Sequence, residues 1–339
     1  MKNLICKIFG RKVKDTNINW GEINSVLIRP LGTGIGDGVV LSAVITQLKQ
    51  AYPNCKIGVL TTARNEFIFK NIPGVNICLK DTPLTYLLNR KKWQVFLDYR
   101  PTFTTRNIIC DYFLVPHYTI CFEKTTKKHY SHKTVHNYNF YVPQLSAKHL
   151  SESLTLTPFA KYINAENASY NLNIPSQEQI ETVFKWLKPN KKNILICPSG
   201  SDRILDKKLI SEVIKNLEQK YSPNIILPLE KKHYTITTKQ IIYTGKIPLE
   251  TFLALCYKVD FIITIDTSTV HIACAYKKPF VSIYSGYDRN FKLFSPLKQE
   301  NTYTVRSSAK AQDHVHKIDN WSVQEVIKYS EICLSKTKG

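Results

Sequence analysis

The sequence has few acidic residues for its number of basic ones. It contains 26 Asp and Glu residues against 47 Lys and Arg residues, which gives a formal net charge of +21 at pH 7. The excess is spread over both halves of the 339 residues, so it is not a basic tail. A charge of this size predicts an anionic partner: nucleic acid, a phosphorylated small molecule or an acidic membrane surface.

Three further absences narrow the class of protein. The nine cysteines stand singly, with no C-x-x-C pair, which is typical of reduced, buried thiols in a cytoplasmic protein. The longest apolar stretch, around residues 261–265, is far shorter than the ~20 residues that a membrane-spanning helix needs. The start of the chain does not resemble a signal peptide, because Lys7 interrupts the apolar residues 4–9. We therefore expect a cytoplasmic protein whose first residues either lie on an anionic membrane surface or form a solvated terminus.

What the sequence does contain is an alternation of strands and helices in two halves. In the first half, a strand at 25–29, a glycine-rich segment at 32–38, a helix at 39–52 and a strand at 56–60 form a βαβ unit. The other predicted elements are a helical or mixed stretch at 67–71, a strand at 94–99, an irregular segment at 102–141, a linker at 173–176, helices at 177–187, 207–221, 248–257 and 267–276, strands at 193–197, 224–227, 260–265 and 280–284, and a final helix at 323–334. This order predicts an α/β protein with two Rossmann-like parallel-sheet domains that face a central cleft.

The first candidate site is the glycine-rich segment between a strand and a helix. Glycines there let the backbone approach a ligand closely, and the first N–H groups of the helix attract an anion. The spacing fits neither a dinucleotide fingerprint, which disfavours a nucleotide-dependent oxidoreductase, nor a P-loop. Asp37 is unexpected in such a segment, because a phosphate loop would exclude a carboxylate. It is interpreted either as the N-cap of the helix or as a general base aimed at an incoming hydroxyl.

The second candidate site follows a buried strand in the second half. Asp266 ends that strand, and the backbone N–H groups of Thr267 and Ser268 begin the next helix, at the edge where open α/β sheets bind ligands. Taken singly, Asp266 is explained as a helix cap and His271 as a packed core histidine. Taken together, these residues suit a polyol phosphate.

The third candidate site follows the first strand of the second half. Ser199 and Gly200 are succeeded by Arg203, whose planar guanidinium offers two parallel donors to phosphate oxygens. This segment therefore predicts a diphosphate site.

These segments together resemble glycosyltransferase family 9, the ADP-heptose:lipopolysaccharide heptosyltransferases. Residues 26–37 and 48–53 are similar to the opening of that family, and residues 266–271, with Ala273, Ala275 and Lys278-Pro279, are similar to its C-terminal donor motif. The similarity in order and spacing covers residues 24–60 and 193–286.

The resemblance implies a GT-B fold. Residues 1–175 would form an acceptor-binding domain, residues 176–320 a nucleotide-sugar-binding domain, and residues 321–339 a helix that packs back toward the first domain. The implied enzyme is an inverting transferase that moves a heptose from a nucleotide-diphosphate donor, ADP-heptose, to a lipopolysaccharide core or Kdo–lipid A acceptor. Its partners would be the nucleotide sugar and this anionic acceptor at the cytoplasmic face of the inner membrane, with no nucleic acid, no permanently bound cofactor and no required metal ion.

The resemblance also assigns roles to residues. Asp37 would be the catalytic base, and the donor and its phosphates would be held by Ser199, Gly200, Arg203, Asp266, Thr267, Ser268 and His271. The acceptor would be bound by Gly34, Gly36, Lys127 and Lys128.

Some observations leave alternatives open. Ser268, Ala43 and Leu205 stand where the family more often has Gly, Pro and Trp, so a donor carrying a hexose or an N-acetylhexosamine is an alternative to ADP-heptose. The positive charge also allows a nucleic-acid-binding protein, although no helix-turn-helix, zinc finger or aromatic RNA-binding pattern is visible. A histidine-rich segment invites a zinc site, but it lacks paired thiols, and we interpret it as a basic loop facing solvent or acceptor (His117, Cys121, His129, His132 and His136). The oligomeric state stays open.

Overall fold

The chain consists of two compact units. The computed structural model describes residues 2–11, 17–166, 168–200, 203–232, 236, 241–308 and 317–336. The first unit comprises Met1–Asn171 and Lys292–Ser295, and the second comprises Leu172–Phe291 and Pro296–Gly339. The division after residue 171 lies close to the predicted boundary after residue 175.

The first unit is built on a six-stranded parallel sheet in the order β3-β2-β1-β4-β5-β6. Its central strand is buried on both faces, because Val26, Leu27 and Ile28 are fully inaccessible to solvent. The strands are β1 (Ser25–Arg29), β2 (Lys56–Thr61), β3 (Ile77–Lys80), β4 (Val95–Asp98), β5 (Tyr118–Phe122) and β6 (Phe140–Val142).

The helices of the first unit differ in part from expectation. They are α1 (Lys2–Phe9), α2 (Ile35–Ala51), α3 (Glu66–Lys70), α4 (Pro83–Leu88) and α5 (Thr105–Leu114), followed by 3₁₀ turns at Leu145–Ala147, Leu150–Leu156 and Pro158–Lys161. Helix α2 is confirmed but begins at Ile35 instead of residue 39. The expectation of irregular structure throughout 102–141 is wrong, since α5, β5 and the start of β6 lie there. The side chain of Thr104 caps α5 by accepting a hydrogen bond from the Asn107 N–H, and Ile108 and Leu114 bury its inner face.

The second unit repeats the topology of the first. Its six-stranded parallel sheet has the order β10-β9-β7-β11-β12-β13, and a separate parallel pair joins β14 to β8. The strands are β7 (Asn193–Cys197), β8 (Ile204–Leu205), β9 (Asn224–Leu227), β10 (Ile241–Tyr243), β11 (Phe261–Ile265), β12 (Phe280–Tyr284), β13 (Thr302–Arg306) and β14 (Lys317–Ile318). Four of these strands, β7, β9, β11 and β12, were predicted and are confirmed.

The helices after residue 172 follow the predicted spacing except that α10 was not predicted and one predicted helix is broken. They are α6 (Gln177–Glu181), α7 (Lys207–Tyr221), α8 (Leu249–Lys258), α9 (Ser268–Ala275), α10 (Asp288–Phe294) and α11 (Val323–Lys336). The predicted helix at 177–187 is broken into α6 and a 3₁₀ turn at Phe184–Trp186. Helix α11 buries Val326 and Cys333 in the core of the second unit, beside Ile263 of β11. Its predicted packing toward the first domain stays a prediction.

Both sheets have the strand order of doubly wound nucleotide-binding folds. In each, the order reverses beside the first strand, so the crevice for a ligand lies at the carboxyl ends of β1 and β4 in one unit and of β7 and β11 in the other. The predicted α/β class with two Rossmann-like parallel sheets is confirmed. All nine cysteines are free thiols. Among the described residues, none of the helices combines the length and the apolar character that crossing a lipid bilayer requires.

Candidate functional site

In the first unit, the glycine-rich segment between β1 and α2 closes around the carboxylate of Asp37. The N-cap of α2 is Gly34, so the interpretation of Asp37 as the N-cap is wrong; Asp37 lies in the first helical turn. Its carboxylate accepts a hydrogen bond from the Gly34 N–H. A Cβ atom added to Gly32 would lie 2.5 Å from Asp37 Oδ2, and one added to Gly34 would lie 3.1 Å away. The backbone of the segment is thus in direct contact with the carboxylate and fixes its position.

The surroundings of Asp37 perturb its ionisation. Burial raises the pKa of the Asp37 carboxyl above its usual range, while the Gly34 N–H and the positive charges of Arg64 and Arg100 oppose the rise. Arg64 follows β2 and Arg100 follows β4, so these charges come from loops at the same edge of the sheet. A carboxylate with a raised pKa is a stronger base than a free aspartate, and nearby arginines favour an anionic ligand.

Beneath this site lies a buried charge cluster that the sequence did not predict. Arg29, the last residue of β1, is fully buried, and its guanidinium lies 3.1 Å from Asp98 Oδ2. It also pairs with Asp111 on α5 and donates a 3.0 Å hydrogen bond to the Tyr86 hydroxyl. The ammonium of Lys124 lies 3.0 Å from Asp98 Oδ2.

The two cations of this cluster, Arg29 and Lys124, are matched by the two carboxylates of Asp98 and Asp111. Burial by itself would raise the pKa of Asp98, but the charges of Lys124 and Arg29 outweigh it and hold that pKa below its usual range. Asp98 therefore stays ionised. Its ion pairs with Arg29 and Lys124 connect the carboxyl ends of β1 and β4 to the segment after β5, at the edge of the sheet that carries Asp37.

The remaining acceptor candidates of the first unit are close to this edge in the chain. Gly36 lies in the first turn of α2, beside Asp37. Lys127 and Lys128 are exposed in the segment after β5, where Lys127 exchanges backbone hydrogen bonds with Tyr130. Their contact with an acceptor stays a prediction.

The histidine-rich segment is held by ordinary contacts. The ring of His132 stacks on Tyr141 with centroids 5.3 Å apart, and His136 Nε2 lies 3.1 Å from the Lys133 carbonyl oxygen. Within the described ranges, no three His, Cys, Asp or Glu side chains come together as metal ligands.

In the second unit, the segment after β7 brings residues 199 and 200 beside residues 203 and 204. Ser199 forms a bridge with Ile204, and the Gly200 N–H donates a 2.8 Å hydrogen bond to the Arg203 carbonyl. A Cβ atom on Gly200 would lie 2.6 Å from Thr267 Cγ2. The second and third candidate sites are therefore one site, because Gly200 packs directly on Thr267, the N-cap of α9.

Asp266 occupies the centre of this combined site. Its carboxylate forms an ion pair with Arg203 and accepts a 2.8 Å hydrogen bond from Asn290 Nδ2. Asp266 is largely buried, whereas Arg203 keeps about a fifth of its side chain exposed (22%). The interpretation of Asp266 as a helix cap is wrong, since the side chain of Thr267 caps α9 by accepting a hydrogen bond from the Thr269 N–H. Asn290 is a site residue that sequence reasoning missed.

The other two candidates differ in access. Ser268 is the first residue of α9 and is partly exposed, so its backbone lies where an anion would meet the positive end of the helix. His271 lies one turn further on and is buried, with 4% of its surface exposed. The placement of His271 is that of a packed residue, and its contact with a donor stays a prediction.

Comparison with known proteins gives a consistent result. The model of glycosyltransferase family 9 (heptosyltransferase) matches residues 127–322, more than half of the chain. A curated relative from Escherichia coli strain K12, named "Putative lipopolysaccharide heptosyltransferase 4", is 25% identical in an alignment 302 residues long that covers 83% of this chain and 80% of the relative.

Solved structures share the fold at low sequence identity. The glycosyl transferase family 9 structure from Veillonella parvula has a TM-score of 0.74 at 12% identity and covers 96% of this chain and 100% of its own. The E. coli ADP-heptose LPS heptosyltransferase II has a TM-score of 0.70 at 14% identity, with 94% and 100% covered. The E. coli heptosyltransferase WaaC with ADP-2-deoxy-2-fluoro heptose has a TM-score of 0.64 at 14% identity, with 91% and 99% covered. The predicted GT-B class is thereby confirmed. The family match over most of the second unit, on this fold, shows that the chain is a glycosyltransferase and belongs to family 9, the heptosyltransferases.

Proposed function

We propose that this protein is an inverting transferase that moves a heptose from ADP-heptose to a lipopolysaccharide core acceptor, with Asp37 as the general base. The names of the relatives support the substrate class: the curated relative is named for lipopolysaccharide heptosyl transfer, and one solved relative for ADP-heptose. The observation that carries the proposal is the Asp37 carboxylate. It is held by backbone at the carboxyl end of β1, and burial raises its pKa.

The donor would bind at the combined site of the second unit. The guanidinium of Arg203 is paired with the Asp266 carboxylate. A diphosphate that binds there would replace Asp266 as the partner of Arg203. The Asp266 carboxylate would then be available to accept hydrogen bonds from the hydroxyls of the sugar. The first N–H groups of α9 would meet the second phosphate. Because Arg203 and the helix end supply positive charge to the leaving diphosphate, the proposed reaction needs no metal ion, and a chelator is expected to leave the rate unchanged.

The acceptor would approach the edge of the first sheet. Arg64 and Arg100 place positive charge around Asp37, and Lys127 and Lys128 add exposed charge in the segment after β5. These residues suit the phosphates and carboxylates of an inner-core acceptor. The proposed function requires the two candidate sites to act on one pair of substrates.

The chemical step follows from these placements. The acceptor oxygen attacks the anomeric carbon of the heptose, and Asp37 takes the hydroxyl proton as the new bond forms. The bond from that carbon to the diphosphate breaks, and ADP leaves with the electron pair. Proton removal by a positioned base typically contributes about 10²–10⁴-fold in rate.

The proposal is tested by comparing Asp37→Asn with a matched control, Glu178→Gln, which removes an exposed carboxylate on α6. Transfer should fall by about 10²–10⁴-fold in Asp37→Asn, while ADP binding measured by calorimetry and the activity of the control stay unchanged. Full activity in Asp37→Asn would remove this residue from the mechanism. A panel of ADP-heptose and of nucleotide-activated hexoses and N-acetylhexosamines identifies the donor, and a preference for a hexose would overturn the heptose assignment.

A further inference from the structure

The first unit carries a group of exposed apolar side chains on three of its helices. We call it the apolar face: Leu4 and Ile8 on α1, Leu84, Leu87 and Leu88 on α4, and Tyr112 on α5. These side chains are 39–62% exposed, and they make up six of the ten large apolar residues found exposed in the described part of the chain. Single exposed leucines are common on protein surfaces, but a group of them on neighbouring helices is typical of an interaction surface.

The three helices form one layer. Helix α5 is in contact with both α1 and α4. The ring of Phe9 lies edge-on to that of Tyr112 with centroids 5.2 Å apart, which fixes α1 on α5. On the other helix, Tyr86 of α4 is buried in one cluster with Cys110 and Leu114 of α5. Each of the three helices thus packs through its inner residues. The apolar face consists of side chains on their outer, solvent-exposed side.

The exposed charge around the apolar face is mainly basic. Helices α1 and α4 contain no acidic residue, and the acidic side chains on α5 and directly before α4 are buried in ion pairs, Asp111 with Arg29 and Asp81 with Arg100 and Arg106. The exposed basic residues on and beside the three helices are Lys2, Lys7, Arg11, Arg90, Lys91 and Lys92, together with Arg106, which is paired with Asp81. The face is therefore apolar with a basic rim.

We propose that the apolar face is a docking surface for an anionic lipid bilayer. Leucine side chains at the level of the headgroups gain from leaving water, and lysine and arginine around them are attracted to acidic lipids. A second copy of the chain is a poor occupant, because it would bring two basic rims together in a protein of net charge +21.

The position of the face relates docking to chemistry. The N-caps of helices α4 and α5, Thr82 and Thr104, follow the carboxyl ends of β3 and β4, at the edge of the sheet that carries Asp37. Docking on the outer side of these helices would bring the first unit, and with it that edge, to the membrane surface. This consequence rests on the proposed function, since it matters for an acceptor anchored in lipid, but the docking itself is tested without any transfer reaction.

The test uses the full-length protein and vesicle flotation. Vesicles of phosphatidylcholine are compared with vesicles that also contain phosphatidylglycerol, using the variant pair Leu84→Ser/Leu88→Ser against the control pair Ile174→Ser/Phe184→Ser. The control removes two exposed apolar side chains of the second unit. All replaced side chains are exposed, so circular dichroism and melting temperature should stay unchanged.

We expect binding to acidic vesicles, a loss of about 10–100-fold in affinity for the Leu84/Leu88 variant, and no loss for the control. Lys7→Gln should weaken binding by about fivefold at low salt, since each basic charge near the surface contributes about 1 kcal/mol. Equal binding to neutral vesicles, equal loss in the control, or absence of vesicle binding would each overturn the proposal. Leucine-dependent self-association detected by light scattering would assign the face to a protein contact instead.

Discussion

Replacing Arg29 with Met should destabilise the first unit strongly, because it removes the one fully buried guanidinium of the charge cluster. Arg29 is in contact with the carboxylates of Asp98 and Asp111, and only Asp98 has a second cation, Lys124, within 3.0 Å. The substitution therefore leaves Asp111 in the interior without its partner. Breaking a buried ion pair in this way costs about 3–5 kcal/mol, whereas an exposed pair contributes about 0–1 kcal/mol.

For a unit of this size, each kcal/mol changes the melting temperature by about 2–4 °C, so Arg29→Met should melt about 6–20 °C below the parent protein in scanning calorimetry. The matched control is Lys70→Met, which breaks the exposed pair between Lys70 and Glu66 and should lower the melting temperature by at most about 4 °C. The double variant Arg29→Met/Asp111→Asn should recover part of the loss, since no uncompensated carboxylate remains. Equal effects of Arg29→Met and Lys70→Met would refute the reasoning.

Three further predictions concern the two candidate sites. Gly32→Ala places a Cβ atom 2.5 Å from Asp37 Oδ2 and should lower kcat by about 10²-fold with little change in melting temperature; unchanged kcat would show that the carboxylate position is not critical. Arg203→Gln should raise the KM for the nucleotide sugar by about 10–100-fold, since it removes charged hydrogen bonds to the diphosphate, and calorimetric titration of ADP should show the same loss. Because burial raises the pKa of Asp37 and the base must be ionised, kcat/KM should fall as the pH decreases through a midpoint above the usual range of an aspartate, and Asp37→Asn should lose this pH dependence; a midpoint at or below that of a free aspartate would contradict the assignment.

Local sequence patterns were sufficient where a strand or helix had a continuous or periodic apolar face. Strand β1, helix α7 and strand β11 were predicted within one residue, because their buried positions follow the expected spacing. Helix α5 was missed because polar residues interrupt its apolar ones. The N-cap Thr104 was the signal that would have located its start.

Contacts between distant residues were not predictable in the same way. Asp98 lies beside Arg29 only because β4 pairs with β1 in that register, which requires the strand order. Asp266 likewise takes Arg203 as its partner across 63 residues of sequence, so a helix-cap interpretation was natural until the loop after β7 was placed. The candidate residues of each site can thus be predicted from their positions at the ends of strands. Their interaction partners become known only from the three-dimensional fold.

The central claim is that Asp37 of the first unit and the 266–271 segment of the second act on one pair of substrates. A crystal structure of the Asp37→Asn protein with an unreactive ADP-heptose analogue and an acceptor fragment tests this most directly. The account predicts an acceptor oxygen about 2.6–3.2 Å from the side chain of residue 37 and about 3–3.5 Å from the anomeric carbon of a donor whose diphosphate contacts Arg203 and the start of α9. A donor bound away from residues 266–271, or an acceptor hydroxyl out of reach of residue 37, would contradict it.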